Sequence, residues 1–290
     1  MSHSTVLFDA PGPRAIRRNR ALSVLTLVVL VGVGLLVAVK LADKGQFEAA
    51  KWQPFLTPEL WETYLLPGIQ GTLTAAVVSI VFAMALGLLL AVGRMSASAP
   101  LRWLAGTVVE FFRAVPVLVM MIFTYYLYAQ LDAFPSSQLP LAGVITGLTL
   151  YNSAVIAEIV RAGVASLPRG QAEAAAALGL RWSQTMRLIL LPQALTAMLP
   201  ALVSQLVVVL KDTAIGYQIN FLELVRQGQN VGTAYRNLFV ALVVVAVLMI
   251  ALNFALSWLA GWLERRLRRS PRSAAAPVAP RGVQIDTPAA

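Results

Sequence analysis

The sequence predicts an all-α, polytopic transmembrane helical bundle, and three observations carry that expectation. Of 290 residues, 58% are hydrophobic and 12% charged, where a soluble globular domain carries about 25% charged residues. Mean hydropathy is +0.74. Six apolar stretches reach the roughly 20 residues that a helix rising about 1.5 Å per residue needs to cross a hydrocarbon core of about 30 Å. In lipid the backbone polar groups must be paired within the segment, so each stretch is read as a helix.

The elements follow in order. Residues 1–20 form a basic N-terminus with Arg14, Arg17, Arg18 and Arg20. An extra N-terminal helix, 21–41, holds the first span. Its apolar run is longer than the roughly 7–15 residues of a signal-peptide core, and no A-x-A cleavage site follows, so it reads as an anchor. Residues 42–66 carry Trp52, Trp61, Tyr64, Pro54 and Pro58 and are expected to lie along the outer interface, where aromatic rings are favoured. The second span is 67–93. The third, 103–129, is interrupted by Glu110 and Arg113. The fourth is 139–160, the fifth 194–216, and the sixth 238–263, which has no charge. The main membrane region runs over 67–265. Residues 266–290 are rich in Ala, Pro and Arg and read as a disordered basic tail.

Charge gives the orientation. Net charge is +10 from 23 cations and 13 acids. With the N-terminus in the cytoplasm, most of the cations fall on the cytoplasmic segments. Only Lys44, Lys51, Arg226 and Arg236 fall on the outer ones. Cytoplasmic loops carry an excess of Lys and Arg, so six spans with both termini inside are predicted. The basic balance is thereby assigned to membrane topology, with no nucleic-acid partner.

Other classes are excluded by what the chain lacks. The single histidine is His3, and there is no cysteine. A disulfide scaffold, a thiolate metal site, a Cys nucleophile and a Ser-His-Asp triad set deep in the fold each lack a needed residue. No cluster has metal-ligand spacing. No G-x-x-x-x-G-K-[ST] loop occurs, and no loop is long enough for a nucleotide-binding domain. No internal repeat supports an inverted-repeat transporter. The expectation is a chain without catalytic residues and without a cofactor of its own.

The most informative segment is the cytoplasmic loop 162–192. Ser166 is a candidate N-cap, and Pro168 suits a first helical turn. Residues 171–178 are strongly helix-forming, and Gly179 can end them at positive φ. Ser183 is a candidate cap for a second short helix, which Pro192 ends or bends into the fifth span. A short helix with a small-residue face and one carboxylate, Glu173, suits insertion into a groove on another protein.

Glu173-Ala174-Ala175, Gly179, Ile189, Leu191 and Pro192 match E-A-A-x3-G-x9-I-x-L-P at every defined position, and so resemble the EAA motif of ABC importer permeases. Further segments are similar to the polar amino acid (His/Glu/Gln/Arg) branch. Residues 112–119, FRAVPVLV, resemble F-R-G-T-P-x-L-V, with Ala114 and Val115 for Gly-Thr. Residues 157–163, AEIVRAG, resemble A-E-I-x-R-G-G, with Ala162 for glycine. Residues 210–213, LKDT, resemble L-K-D-T-S, with Ala214 in place of the serine. Residues 71–74, GTLT, resemble the family's G-x-x-x-T-L start. The extra first span and basic tail look like the D-type permeases of actinobacterial glutamate importers.

This resemblance implies a type I ABC importer permease fold and import of a polar amino acid, glutamate first. It implies a second permease subunit as heterodimer partner, an ABC ATPase dimer that binds the ATP and Mg, and an extracytoplasmic amino acid-binding protein. ATPase coupling would fall to Gly170, Glu173, Ala174, Ala175, Gly179 and Arg181. The alternative reading is an ion-gradient-driven secondary amino acid transporter.

Charges inside spans are costly and are functional candidates. Glu110 and Arg113, and Glu158 and Arg161, stand at i,i+3 and can pair on one face. Lys211 and Asp212 lie towards the outer end of the fifth span. With Pro116, these residues are the candidates for the translocation path or its gate. Arg113 leads them, and a straight third span would put it near the midplane. The competing reading is that each pair neutralises itself and fixes packing.

Overall fold

The computed structural model describes residues 12–268, and within them every regular element is helical. The longer helices are α1 (Pro13–Asp43), α2 (Leu66–Arg94), α3 (Ala99–Ala114), α4 (Val117–Gln130) and α5 (Leu139–Ala165). They are followed by α6 (Gly170–Ala177), α7 (Leu191–Asp212), α8 (Leu224–Ala234) and α9 (Leu238–Arg268). Five helical runs are long and apolar enough to cross a membrane, and α3 with α4 makes a sixth if the bent pair is one span. Of the expected disordered tail, 269–290 lies outside the described residues, as does the start of the basic N-terminus.

The chain forms two units. In the first, 12–69 with 224–246, α1 begins with proline at its first turn, where a missing N–H costs nothing, and buries no residue. A helix apolar all round without protein neighbours is suited to lipid. The segment expected to lie along the interface is wound into short turns: Ala49–Trp52, a 3₁₀ turn at Gln53–Leu56, Pro58–Leu60 and a π turn at Trp61–Leu65. Two indoles close these turns. Trp52 Nε1 donates to the Gln46 carbonyl at 3.0 Å and Trp61 Nε1 to the Phe55 carbonyl at 2.8 Å. Leu60 and Leu65 are fully buried, and α8 packs on Trp61–Leu65.

The second unit, 70–223 with 247–268, is organised around α5, against which α3, α4 and α7 pack. Small residues on α5 allow this. A Cβ added at Gly147 would stand 2.9 Å from the Met121 backbone nitrogen, so α4 and α5 touch backbone to backbone. Buried polar groups join helices where water is absent. Thr124 Oγ1 of α4 donates to the Gly143 carbonyl of α5 at 3.1 Å. Gln205 Nε2 of α7 donates to Asn152 Oδ1 of α5 at 2.7 Å, and Asn152 Nδ2 donates to the Leu148 carbonyl at 2.8 Å. Each such bond contributes about 1 kcal/mol, and an orphaned partner would cost more.

Two expectations are corrected. The third span is not one helix: α3 and α4 meet at a bend of 101°. Val115 is extended (φ −83°, ψ 126°) and Pro116 follows at φ −57°, ψ 136°. Proline bars the preceding residue from the α region and supplies no N–H, so the helix must stop at Ala114. Of the two courses expected for the second loop helix, ending at Pro192 or bending into the fifth span, the structure shows the second, and it is the Ser183 cap that is corrected. Helix runs without a break from Trp182 to Ile219, and a π turn at Met186–Leu190 leads into Pro192. Its N-cap is Arg181, whereas Ser183 lies inside the first turn.

Candidate coupling loop and charge cluster

The loop helix α6 is short, and its stop is built locally. Gly179 has φ +74°, a conformation glycine takes without Cβ strain. Its N–H donates to the Ala176 carbonyl at 2.9 Å, and the Leu180 N–H reaches the Ala175 carbonyl at 3.1 Å. This paired arrangement is a Schellman motif. Ser166 does not cap α6. Its hydroxyl bonds the Gly163 carbonyl at the end of α5, and Arg169 occupies the N-cap without a side-chain bond.

Only one narrow side of the helix is covered: Ala175 is buried and Ala172 half-buried, while every other residue from Gly170 to Leu178 is exposed. Among the exposed residues, Gly170, Glu173, Ala174, Ala177 and Leu178 have the spacing of 3, 1, 3 and 1 residues that puts them on one helical face. Leu178, at its end, is 80% exposed. Ala175 is 1% exposed and faces the rest of the loop. Of the six predicted coupling residues, Gly170, Glu173 and Ala174 share the outward face, Gly179 makes the turn, and Arg181 begins the next helical run. Ala175 is on the inner side. Ala177 and Leu178 belong to the outward face and were missed, although the i,i+3,i+4 count from Glu173 reaches Ala177 directly.

The loop is attached at two points. Gln193 Nε2 donates to the Ile189 carbonyl at 2.9 Å and reaches Gln171 Oε1 at 3.5 Å. Trp182 Nε1 donates to the Met95 carbonyl at 2.8 Å, tying the loop to the end of α2.

The neighbouring residue, Arg94, is the centre of the second site. Its guanidinium spans two helices: Nη1 bonds Glu158 Oε2 of α5 at 2.8 Å, and Nη2 bonds Glu110 Oε1 of α3 at 3.1 Å. Glu158 is also paired with Arg161, and Glu110 faces Arg113 at 4.0 Å. Both predicted i,i+3 pairs therefore exist, and one further arginine joins them. Sequence reasoning counted Arg94 only as a loop cation. Its partners are 16 and 64 residues away, and no local pattern signals that. With 16% exposure, Arg94 is the least accessible member of the cluster.

A cavity of about 630 Å³ opens on this cluster, lined by Glu110, Arg113, Ala114, Tyr151, Val155, Glu158, Ile159 and Ala162. The lining itself carries one guanidinium, Arg113, and two carboxylates, Glu110 and Glu158; with Arg94 and Arg161 paired to those carboxylates, the cluster as a whole has one positive charge in excess. The bend changes the predicted depth of Arg113. A midplane position assumes a straight third span, whereas Glu110 is held to Arg94 at the last residue of α2. Glu158 stands seven residues from the end of α5, about 10 Å along its axis. The cluster thus sits towards the loop end of the bundle. Pro116 is the N-cap of α4 at the bend. Lys211 and Asp212 are elsewhere: they end α7, twenty residues or about 30 Å of helix past Leu191. Lys211 is exposed and Asp212 half-buried.

A bundle of bilayer-length helices with a short exposed helix on one loop is the architecture of a multi-pass membrane protein. Residues 83–269 match the family described as the binding-protein-dependent transport system inner membrane component, and the chain belongs to that family. It is 53% identical over 206 residues to the glutamate transport system permease protein GluD of Corynebacterium glutamicum, covering 71% of this chain and 76% of that one. It is 35% identical over 174 residues to the glutamate/aspartate import permease protein GltK of Escherichia coli O6:H1, covering 58% and 78%. Among solved structures, it superposes with a TM-score of 0.63 and 30% identity on a chain of an amino acid ABC transporter, covering 70% of this chain and 93% of that one. The chain is a non-catalytic permease subunit of the inner membrane with the type I ABC importer fold.

Proposed function

We propose that this chain forms half of the translocation path of an ATP-driven importer of polar amino acids, glutamate first. In this reading both termini and the loop 162–192 face the cytoplasm. The observation that carries it is the outward face of α6, where Gly170, Glu173, Ala174, Ala177 and Leu178 stand free of the chain's own packing. A groove on an ATPase would admit the small residues and bury Leu178, and Glu173 would meet a cation there. The ATPase partner binds ATP and Mg. Closure of its dimer would move α6, and through the Trp182–Met95 bond the end of α2, so that the bundle alternates between inward-open and outward-open states. A second, related permease would complete the path as a heterodimer, and an extracytoplasmic binding protein would deliver the solute.

The charge cluster suits the cargo. Its excess positive charge favours a carboxylate, while Glu110 can receive an ammonium group. Arg94 holds the cluster together, and Arg113, Glu110 and Glu158 present their charges to the cavity. Lys211 and Asp212, at the other end of the span, would lie near the outer mouth. The likeness to a chain of an amino acid ABC transporter favours ATP over an ion gradient as the driving force. The test is uptake of labelled glutamate by proteoliposomes holding the full assembly. Uptake that needs ATP, the binding protein and this chain supports the reading. Uptake driven by a sodium or proton gradient without ATP overturns it.

A further inference from the structure

We infer that the groove between the end of α2 and the helical run beginning at Trp182 is a binding site for a phospholipid with a net-negative headgroup. The groove encloses about 590 Å³, within the range of small-molecule sites. Its walls are apolar: Val92, Met95, Leu101, Met186 and Leu191, with the Trp182 ring. Its rim carries Arg181 and Arg187. Both arginines are exposed, and among the described residues neither has a carboxylate partner. An apolar trough ending in two free guanidiniums complements a molecule with acyl chains and a phosphate.

Depth points to lipid rather than to a soluble ligand. The groove begins where the apolar run of α2 ends, at Arg94. Trp182 stands on it, and Trp103, on the adjacent α3, is 73% exposed. Tryptophan and arginine together mark the layer where acyl chains meet headgroups. The site is also continuous with the loop attachment, since Trp182 both lines the groove and bonds the Met95 carbonyl at 2.8 Å. A lipid seated there would hold the loop against α2.

The assembled transporter is purified in a mild detergent and offered phosphatidylglycerol, phosphatidylcholine with the same acyl chains, or inorganic phosphate, with retention read by native mass spectrometry. The wild-type assembly is expected to retain phosphatidylglycerol in preference to phosphatidylcholine. Arg187→Gln should lower that retention roughly fivefold, the effect of one arginine near an anionic surface. Arg187→Lys, which keeps the charge, should largely preserve it. Ala97→Trp, which fills the groove, should remove binding of both lipids. Equal retention of the two lipids by wild type overturns the proposal without any variant. Competition by inorganic phosphate at equal concentration also overturns it, because the ligand would then be the free anion. Lipid retained only by the permease stripped of its ATPase, and not by the full assembly, would overturn the proposal and assign the groove to the ATPase instead.

Discussion

The loop helix and the charge cluster lie on either side of the Trp182–Met95 bond, yet they are built in opposite ways. The helix α6 is defined by local rules: an alanine-rich run, a glycine stop with two backbone bonds, and an exposed outward face. The cluster is defined by tertiary structure alone. Its centre, Arg94, has meaning only because α3 and α5 bring Glu110 and Glu158 to it. A surface kept for a partner can vary without disturbing the fold, whereas a knot of charges between helices carries fold and function together.

Substitutions can break or sharpen this contrast. The largest loss of stability is expected from Arg94→Met, which leaves Glu158 with Arg161 alone and Glu110 with the distant Arg113. Losing a bond to a charged partner costs about 1.5–3 kcal/mol, and thermal unfolding in detergent should fall accordingly, with transport lost as well. Next is Gly179→Val. A side chain at positive φ costs roughly 1–2 kcal/mol. That cost falls on the loop turn, so global unfolding should move little while amide exchange in α6 accelerates and ATPase binding is lost. Arg113→Gln comes third, since the pair with Glu110 is 4.0 Å long and exposed. Exposed pairs contribute about 0.2–1 kcal/mol, so stability should barely change and the effect should appear in apparent affinity for solute. The smallest structural effect is that of Glu173→Lys. Exposed substitutions usually stay within about 0.5 kcal/mol, yet co-purification with the ATPase should be abolished. A Glu173→Lys chain that unfolds early, or an Arg94→Met chain that is fully stable, would erase the contrast.

How much was legible in the sequence follows the same division. Spans, loop and glycine stop were readable because each rests on composition or on spacing within one helix. The i,i+3 pairs were readable for that reason, and both formed. The break at Val115 was not read, because a bilayer-length apolar run containing one proline looks like a kinked span; the Val-Pro dipeptide was the signal available. The role of Arg94, the inward side of Ala175 and the Asn152–Gln205 bond depend on which helices become neighbours. Hydropathy says nothing of that. The aromatic segment 42–66 was read only for the environment that suits Trp and Tyr, and its winding into turns closed by Trp52 and Trp61 is a matter of backbone geometry.

The bend between α3 and α4 has a mechanical consequence. Proline locks one torsion of the joint and restricts the residue before it, so the corner cannot straighten by gaining helix. The two arms are 16 and 14 residues long, about 24 and 21 Å at 1.5 Å per residue. Together they act as a bell crank. A turn of about 10° about the corner would carry the tip of the longer arm about 4 Å, in a direction nearly perpendicular to the travel of the other tip. A displacement at Ala99, the tip of the longer arm, would thereby be redirected into a sideways stroke at Gln130, with leverage set by arm length rather than by any new contact.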